Sequence, residues 1–167
     1  MKKVEMFFDY SCPFCFRGFR FLMESLPDYP HVEMVWRPLE IHQRPDDRFG
    51  LHSDLCIRAM FLAADKDVDL VAFHWKMFAL FHHDKINVED INTLAESLTE
   101  FLDADELRKV LTHDRYVQEL KDANTYALDT TGIWIVPAYR MEGHKLDAPN
   151  ERSLTIEDVR EFLDFSK

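Results

Sequence analysis

Glycine is scarce in this sequence, with four among 167 residues, and so few leave little material for flexible linkers or collagen-like and low-complexity segments. Cysteine is scarce too. The three present are an odd number and too few for a framework of structural disulfides. No apolar run approaches the roughly 20 residues that cross a bilayer as a helix. Positive charge is in deficit, since 20 Lys and Arg face 31 Asp and Glu for a net charge of −11. A field of that sign repels phosphate backbones and anionic membranes, so neither nucleic acid nor membrane is expected as a partner. At the N-terminus Glu5 and Asp9 interrupt the apolar stretch before it could serve as a signal-peptide core, and read from Met1 the chain is expected to be cytoplasmic. What the sequence does have is 47% hydrophobic residues, 14 of them Phe. That is enough for one well-packed core in a chain of single-domain length.

Val4, Met6 and Phe8 alternate with Glu5 and Phe7, the period of a short buried strand ending near Asp9. From Pro13 the period becomes helical, with Cys15, Phe19, Leu22 and Leu26 on one stripe, and Pro13 suits a first helical turn because it has no N–H to leave unpaired. His31 to Arg37 alternates again before Pro38. A strand, a helix and a strand in so short a span predict a right-handed crossover and a parallel pair. The polar segment 43–50 closes this block. From Leu51 to about Thr130 the pattern is helical, with starts expected at Ser53, Asp69, Asn87, Asp103 and Asp114. Gly132 stops the last of these helices. Ile133 to Met141 is rich in β-formers, Glu142-Gly143 fits a two-residue hairpin turn into His144–Leu146, and a last amphipathic helix is expected behind Thr155 with Asp158 three residues on. The fold class is therefore α/β, in the order β-α-β then β-β-α. The boundaries expected are 1–50 and 132–167 for the sheet-forming core and 51–131 for an all-helical insertion of about 80 residues.

Cys12 and Cys15 form a Cys-x-x-Cys between a strand and the start of a helix. There the unpaired backbone N–H groups and the positive helix end favour a thiolate on the first sulfur, while the second lies one turn inside, within disulfide reach. The first thiol can attack a foreign disulfide and the second can resolve the mixed disulfide. A closed zinc site would need four ligands, and no second Cys pair is present. No metal site is expected. Cys56 with His52 at i, i+4, and His82-His83-Asp84, read as buried and solvated helix positions respectively rather than as metal ligands.

Phe7-Phe-Asp-Tyr-Ser-Cys-Pro-Phe-Cys-Phe16, Trp36-Arg-Pro-Leu-Glu-Ile41 and Gly132-Ile-Trp-Ile-Val-Pro137 together resemble the DsbA-like thiol-disulfide oxidoreductases of the thioredoxin fold, most closely the FrnE-like branch. The resemblance covers essentially the whole chain. It implies a thioredoxin-like fold and a redox-active Cys12–Cys15 couple that needs no bound cofactor. It also implies a cis Pro137 opposite the sulfurs, and a substrate-binding surface formed by Pro13, Phe14, Val136 and Pro137. The partners it implies are protein or peptide disulfides and dithiols, with glutathione as a further small-molecule candidate. This chain departs from the relatives at Ile135, where many have Gly, at Ala138, where many have Thr, and at Met6, where many thioredoxin-fold enzymes place a buried acid; Glu5, Asp9 and water are the candidate replacements. Two alternatives remain at this level. One is a glutathione-dependent isomerase or transferase like the 2-hydroxychromene-2-carboxylate isomerases, whose first motif position is typically Ser rather than Cys; the other is a peptide-binding module without turnover.

Overall fold

The computed structural model describes residues 1–149 and 152–167. Its chain order is β1 (Lys2–Phe8), α1 (Pro13–Ser25), β2 (Val32–Pro38), α2 (Asp54–Asp65), α3 (Leu70–His82), α4 (Ile91–Ser97), α5 (Ala104–Thr112), α6 (Val117–Thr125), β3 (Ala138–Met141), β4 (His144–Asp147) and α7 (Ile156–Asp164). Among the described residues no helix is long and apolar enough to cross a membrane.

The chain divides into two compact units. One comprises Met1–Leu39 with Thr125–Lys167, the other Glu40–Asn124. Both boundaries differ from the expected 50/51 and 131/132, and hydrogen bonds account for the shift. Glu40 N donates to Asn124 Oδ1 and Asn124 Nδ2 donates back to Glu40 Oε2, each at 2.8 Å. Residues 42–50 are held by His52 Nε2 on the Asp46 carbonyl (2.7 Å) and by Arg44 on Asp54 and Glu89. In the other direction, Tyr126 donates its hydroxyl to Glu5 (3.0 Å) and stacks on Phe7, joining the segment after α6 to the sheet.

In the first unit the sheet order is β2-β1-β3-β4. The β1–β2 pair is parallel, as the crossover spacing predicts, and the other pairs are antiparallel. The register aligns Trp36, Met6, Tyr139 and Leu146 across one face. α1 and α7 pack together, and they supply Phe19, which meets Trp36, and Phe162, which meets Tyr139. On the opposite face Glu5 pairs with Arg37 at 2.7 Å. The hairpin turns through Glu142-Gly143, with Gly143 at φ +74°, a left-handed conformation open to glycine at no steric cost. Thr155 and Asp158 form a reciprocal capping box on α7.

Three expectations need correction. The strand anticipated over Ile133–Met141 begins only at Ala138, because Pro137 has no N–H for the ladder and the pairing with β1 ends at Phe7↔Ala138. Trp134 and Ile135 lie exposed in the irregular stretch before it. The third helix of the insertion is capped by Asp90, not Asn87, whose Oδ1 serves a turn by accepting from Glu89 N. Behind Asp114 the helix begins only at Val117, after Tyr116 in the left-handed region.

In the second unit α2 packs on α3 and α5, and α4 packs on α5. Asp69 and Asp103 cap α3 and α5. Phe73, His74, Met77 and Phe78 form the buried stripe of α3.

Candidate active site

Cys12 is the N-cap of α1, with extended backbone (φ −88°, ψ 116°), and Pro13 occupies the first helical position. The entry into the helix is tightened from the strand side, where Cys12 N donates to the Asp9 carbonyl (3.1 Å) and Ser11 N and Oγ both donate to Asp9 Oδ1 at 2.8 Å. As cap, the Cys12 sulfur accepts from Cys15 N at 3.4 Å, a position otherwise filled by a Ser or Asp oxygen. Both residues are free thiols, Cys12 partly exposed and Cys15 fully buried.

The two thiols are electrostatically unlike. A hydrogen bond from the Cys15 side chain lowers the Cys12 pKa, and the N–H groups of Cys15 and Phe14 add to it against the opposing effect of burial. Cys15 is pushed well above the ordinary thiol range, first by burial, then by its hydrogen bond and charge interaction with Cys12. The negative charge of Asp9, buried directly behind the pair, works against both thiolates.

The Val136–Pro137 peptide bond is cis. The Cys12 thiol faces the Val136 carbonyl at 3.9 Å, which brings the loop before β3 against the start of α1. Beside it lies a largely apolar groove of about 350 Å³ bordered by Phe14, Arg17, Val136, Pro137 and Leu154. Phe14 and Ile135 offer half-exposed hydrophobic side chains there, and the Arg17 guanidinium sits over the Phe14 ring. Pro13 is exposed next to Cys12. Cys12, Cys15, Pro13, Phe14, Val136 and Pro137 lie around one helix start.

Of the candidate replacements for the acid absent at Met6, Glu5 is bound to Arg37 and Tyr126 on the other face of the sheet, whereas Asp9 is beside the sulfurs. One residue was not singled out by sequence reasoning. Tyr139 is fully buried beneath α1, and its only sequence signal is its place two residues after Pro137 in a β-forming run. Cys56 is buried in α2, and the two ring nitrogens of His52 are taken up by Glu89 and the Asp46 carbonyl. Among the described residues no group of three or more His, Cys, Asp or Glu is arranged to hold a metal ion.

Residues 3–157 match the family described as DSBA-like thioredoxin domain. Solved structures with the same fold include a probable DsbA oxidoreductase from Streptomyces coelicolor, with a TM-score of 0.84 at 18% identity over 99% of this chain and 90% of that one. A thioredoxin-like oxidoreductase from Silicibacter pomeroyi gives 0.70 at 20% identity, covering 99% and 86%. Reduced DsbA1 from Neisseria meningitidis gives 0.67 at 15% identity, covering 99% and 82%. No curated protein matches the sequence.

Proposed function

The chain belongs to the family of DSBA-like thioredoxin domains, and from that premise we propose that it exchanges the Cys12–Cys15 dithiol with disulfides of protein or peptide substrates, glutathione serving as a small-molecule partner. The observation that carries the reading is the inequality of the two thiols: a partly exposed sulfur with a lowered pKa at a helix start, and a buried one with a raised pKa a turn behind it.

Cys12 as thiolate attacks a substrate disulfide; a Cys12–substrate bond forms, the substrate S–S bond breaks, and the leaving sulfur departs as a thiolate that takes up a proton. Cys15 loses its proton and attacks Cys12 Sγ. The Cys12–Cys15 disulfide forms and the second substrate sulfur leaves, so the substrate is reduced by two electrons while the protein is oxidised. Run backwards, the same steps oxidise a substrate dithiol. An extended substrate segment fits the groove with its backbone along Val136 and apolar side chains against Phe14, Ile135 and Pro137, pairing as a strand added at an edge. The Cys-Pro-Phe-Cys element with Asp9 three residues ahead supports placement in the FrnE-like branch.

Single variants test the reading. Cys15→Ser is expected to accumulate mixed disulfides with substrate, because attack continues without resolution, and Cys12→Ser to accumulate almost none. Iodoacetamide should modify Cys12 faster than Cys15 near neutral pH. Faster modification of Cys15, or insulin reduction that survives loss of both thiols, would overturn the assignment.

A further inference from the structure

The buried face under α1 holds a polar group outside the Cys12–Cys15 pair. Tyr139 is fully buried, and its hydroxyl has no hydrogen-bond partner among the described residues. A buried hydroxyl left unpaired costs stability, and such groups in native structures call for an explanation. Its position supplies one. Met6 and Tyr139 are cross-strand partners, so the tyrosine ring rises from the sheet on the face covered by α1. A methyl group built on Gly18 would lie 2.6 Å from Tyr139 Oη. Gly18 is three residues beyond Cys15 and on the same side of the helix, so the hydroxyl sits one turn from the resolving sulfur, and the two groups interact electrostatically.

In the resting dithiol the hydroxyl makes no hydrogen bond to Cys15, whose side chain is hydrogen-bonded to Cys12. Once Cys12 is tied up in a mixed disulfide, Cys15 must become a thiolate in a site closed to water. We propose that the Tyr139 hydroxyl then donates a hydrogen bond to the Cys15 thiolate, stabilising the attacking sulfur in the resolving step. The inference rests on the exchange reaction proposed above. The tyrosine keeps its proton throughout; burial and the neighbouring Cys15 hold its hydroxyl far from ionisation. The proton that Cys15 loses goes to solvent, and the electron pair of Cys15 forms the S–S bond to Cys12 as the substrate sulfur leaves. In the mixed disulfide Cys12 carries no charge; a hydrogen bond with the Asp9 backbone favours the Cys15 thiolate, while burial and the Asp9 charge disfavour it. Tyr139 is the neutral donor that counters these two.

The test is Tyr139→Phe in the full chain, which keeps the ring and removes the hydroxyl. In a Cys12→Ser background, where Cys15 titrates alone, the ¹³Cβ shift of Cys15 followed against pH should show its midpoint raised by about one unit, a tenfold loss of thiolate, the scale of one hydrogen bond to a charged group. With Cys12 present, release of a preformed Cys12 mixed disulfide should slow about tenfold, while the alkylation profile of Cys12 in a Cys15→Ser background stays in place. Thermal stability should hold or rise, because an unpaired buried hydroxyl has been removed. A Cys15 midpoint and a release rate both unchanged, with only stability altered, would assign Tyr139 to packing and overturn the proposal. Site-specific 3-fluorotyrosine at position 139, a stronger donor of nearly the same shape, should move the Cys15 midpoint the opposite way, and this arm stands if the Phe variant fails to fold. If the wild-type protein exchanged no disulfide at all, the oxidoreductase reading would fall, whereas the Cys15 titration would still decide whether Tyr139 donates to it.

Discussion

At the scale of single residues, Gly18 shows how tightly the helix carrying the thiols is seated. A Cβ there would come within 2.6 Å of Tyr139 Oη and 2.8 Å of Pro137 Cγ, distances that real contacts do not sustain. Gly18→Ala should gain up to about 1 kcal/mol from helix propensity and lose about 1–3 kcal/mol to overpacking. The clash wins, because the proline ring is stiff and the tyrosine is enclosed on every side. Net destabilisation of about 1–2 kcal/mol by chemical denaturation is expected. Part of that cost belongs to the hydroxyl alone, so in a Tyr139→Phe background the same substitution should cost less. Equal costs in both backgrounds would place the whole clash on Pro137.

Individual elements show which parts of the sequence speak for themselves. Starts signalled by a side chain acting on its own helix were legible: Asp69, Asp103 and Thr155 each accept from backbone N–H groups two or three residues on. The start of α1 was legible for the same reason, with a sulfur in the capping role. Where two residues could play the part, pattern did not choose, and Asp90 rather than Asn87 took the cap. Apolar character over 133–137 did not make a strand, because a ladder needs a partner and β1 offers one only as far as Phe7. Tyr139 was invisible as a site residue, since its importance comes from a cross-strand register with Met6 that no local pattern encodes.

The segment before α2 carries a prediction of its own. Both ring nitrogens of His52 face acceptors, Glu89 at 2.9 Å and the Asp46 carbonyl at 2.7 Å, an arrangement satisfied in full only by the imidazolium. Burial pulls its pKa down, as does the nearby Arg44, but these hydrogen bonds and the Glu89 charge outweigh them and the net shift is upward from 6.5. A group whose folded pKa is raised contributes stability that is complete below its unfolded value and lost as pH climbs through the folded one. Amide protection factors over residues 43–50 should therefore be highest below pH 6.5 and decline above it. Glu89→Gln should reduce protection at low pH and flatten the decline. Protection that rises with pH would show that His52 is neutral in the native state.

For the whole molecule, charge sets the conditions under which the site meets its substrates. The chain carries −11, yet the described residues lining the groove include Arg17 and Arg152 and no Asp or Glu. Arg152 is bound to Asp158 by a two-pronged contact, one arm at 2.7 Å, whereas Arg17 has no ion-pair partner among the described residues. Two fields of opposite sign thus act at different ranges, a long-range negative one from the molecule and a short-range positive one from Arg17. Screening length separates them, because it falls from about 30 Å at 0.01 M salt to about 10 Å at 0.1 M. Three small disulfides report on the balance: dicationic cystamine, neutral bis(2-hydroxyethyl) disulfide and anionic oxidised glutathione. If the net charge dominates encounter, raising salt across that range should slow Cys12 attack on cystamine severalfold, speed attack on oxidised glutathione and leave the neutral compound unchanged. Arg17→Gln should then deepen the low-salt penalty for oxidised glutathione without touching the neutral rate. Should salt instead slow the reaction of oxidised glutathione, the guanidinium beside Phe14 would outweigh the whole-molecule field, and anionic substrates would be drawn to the groove despite the −11.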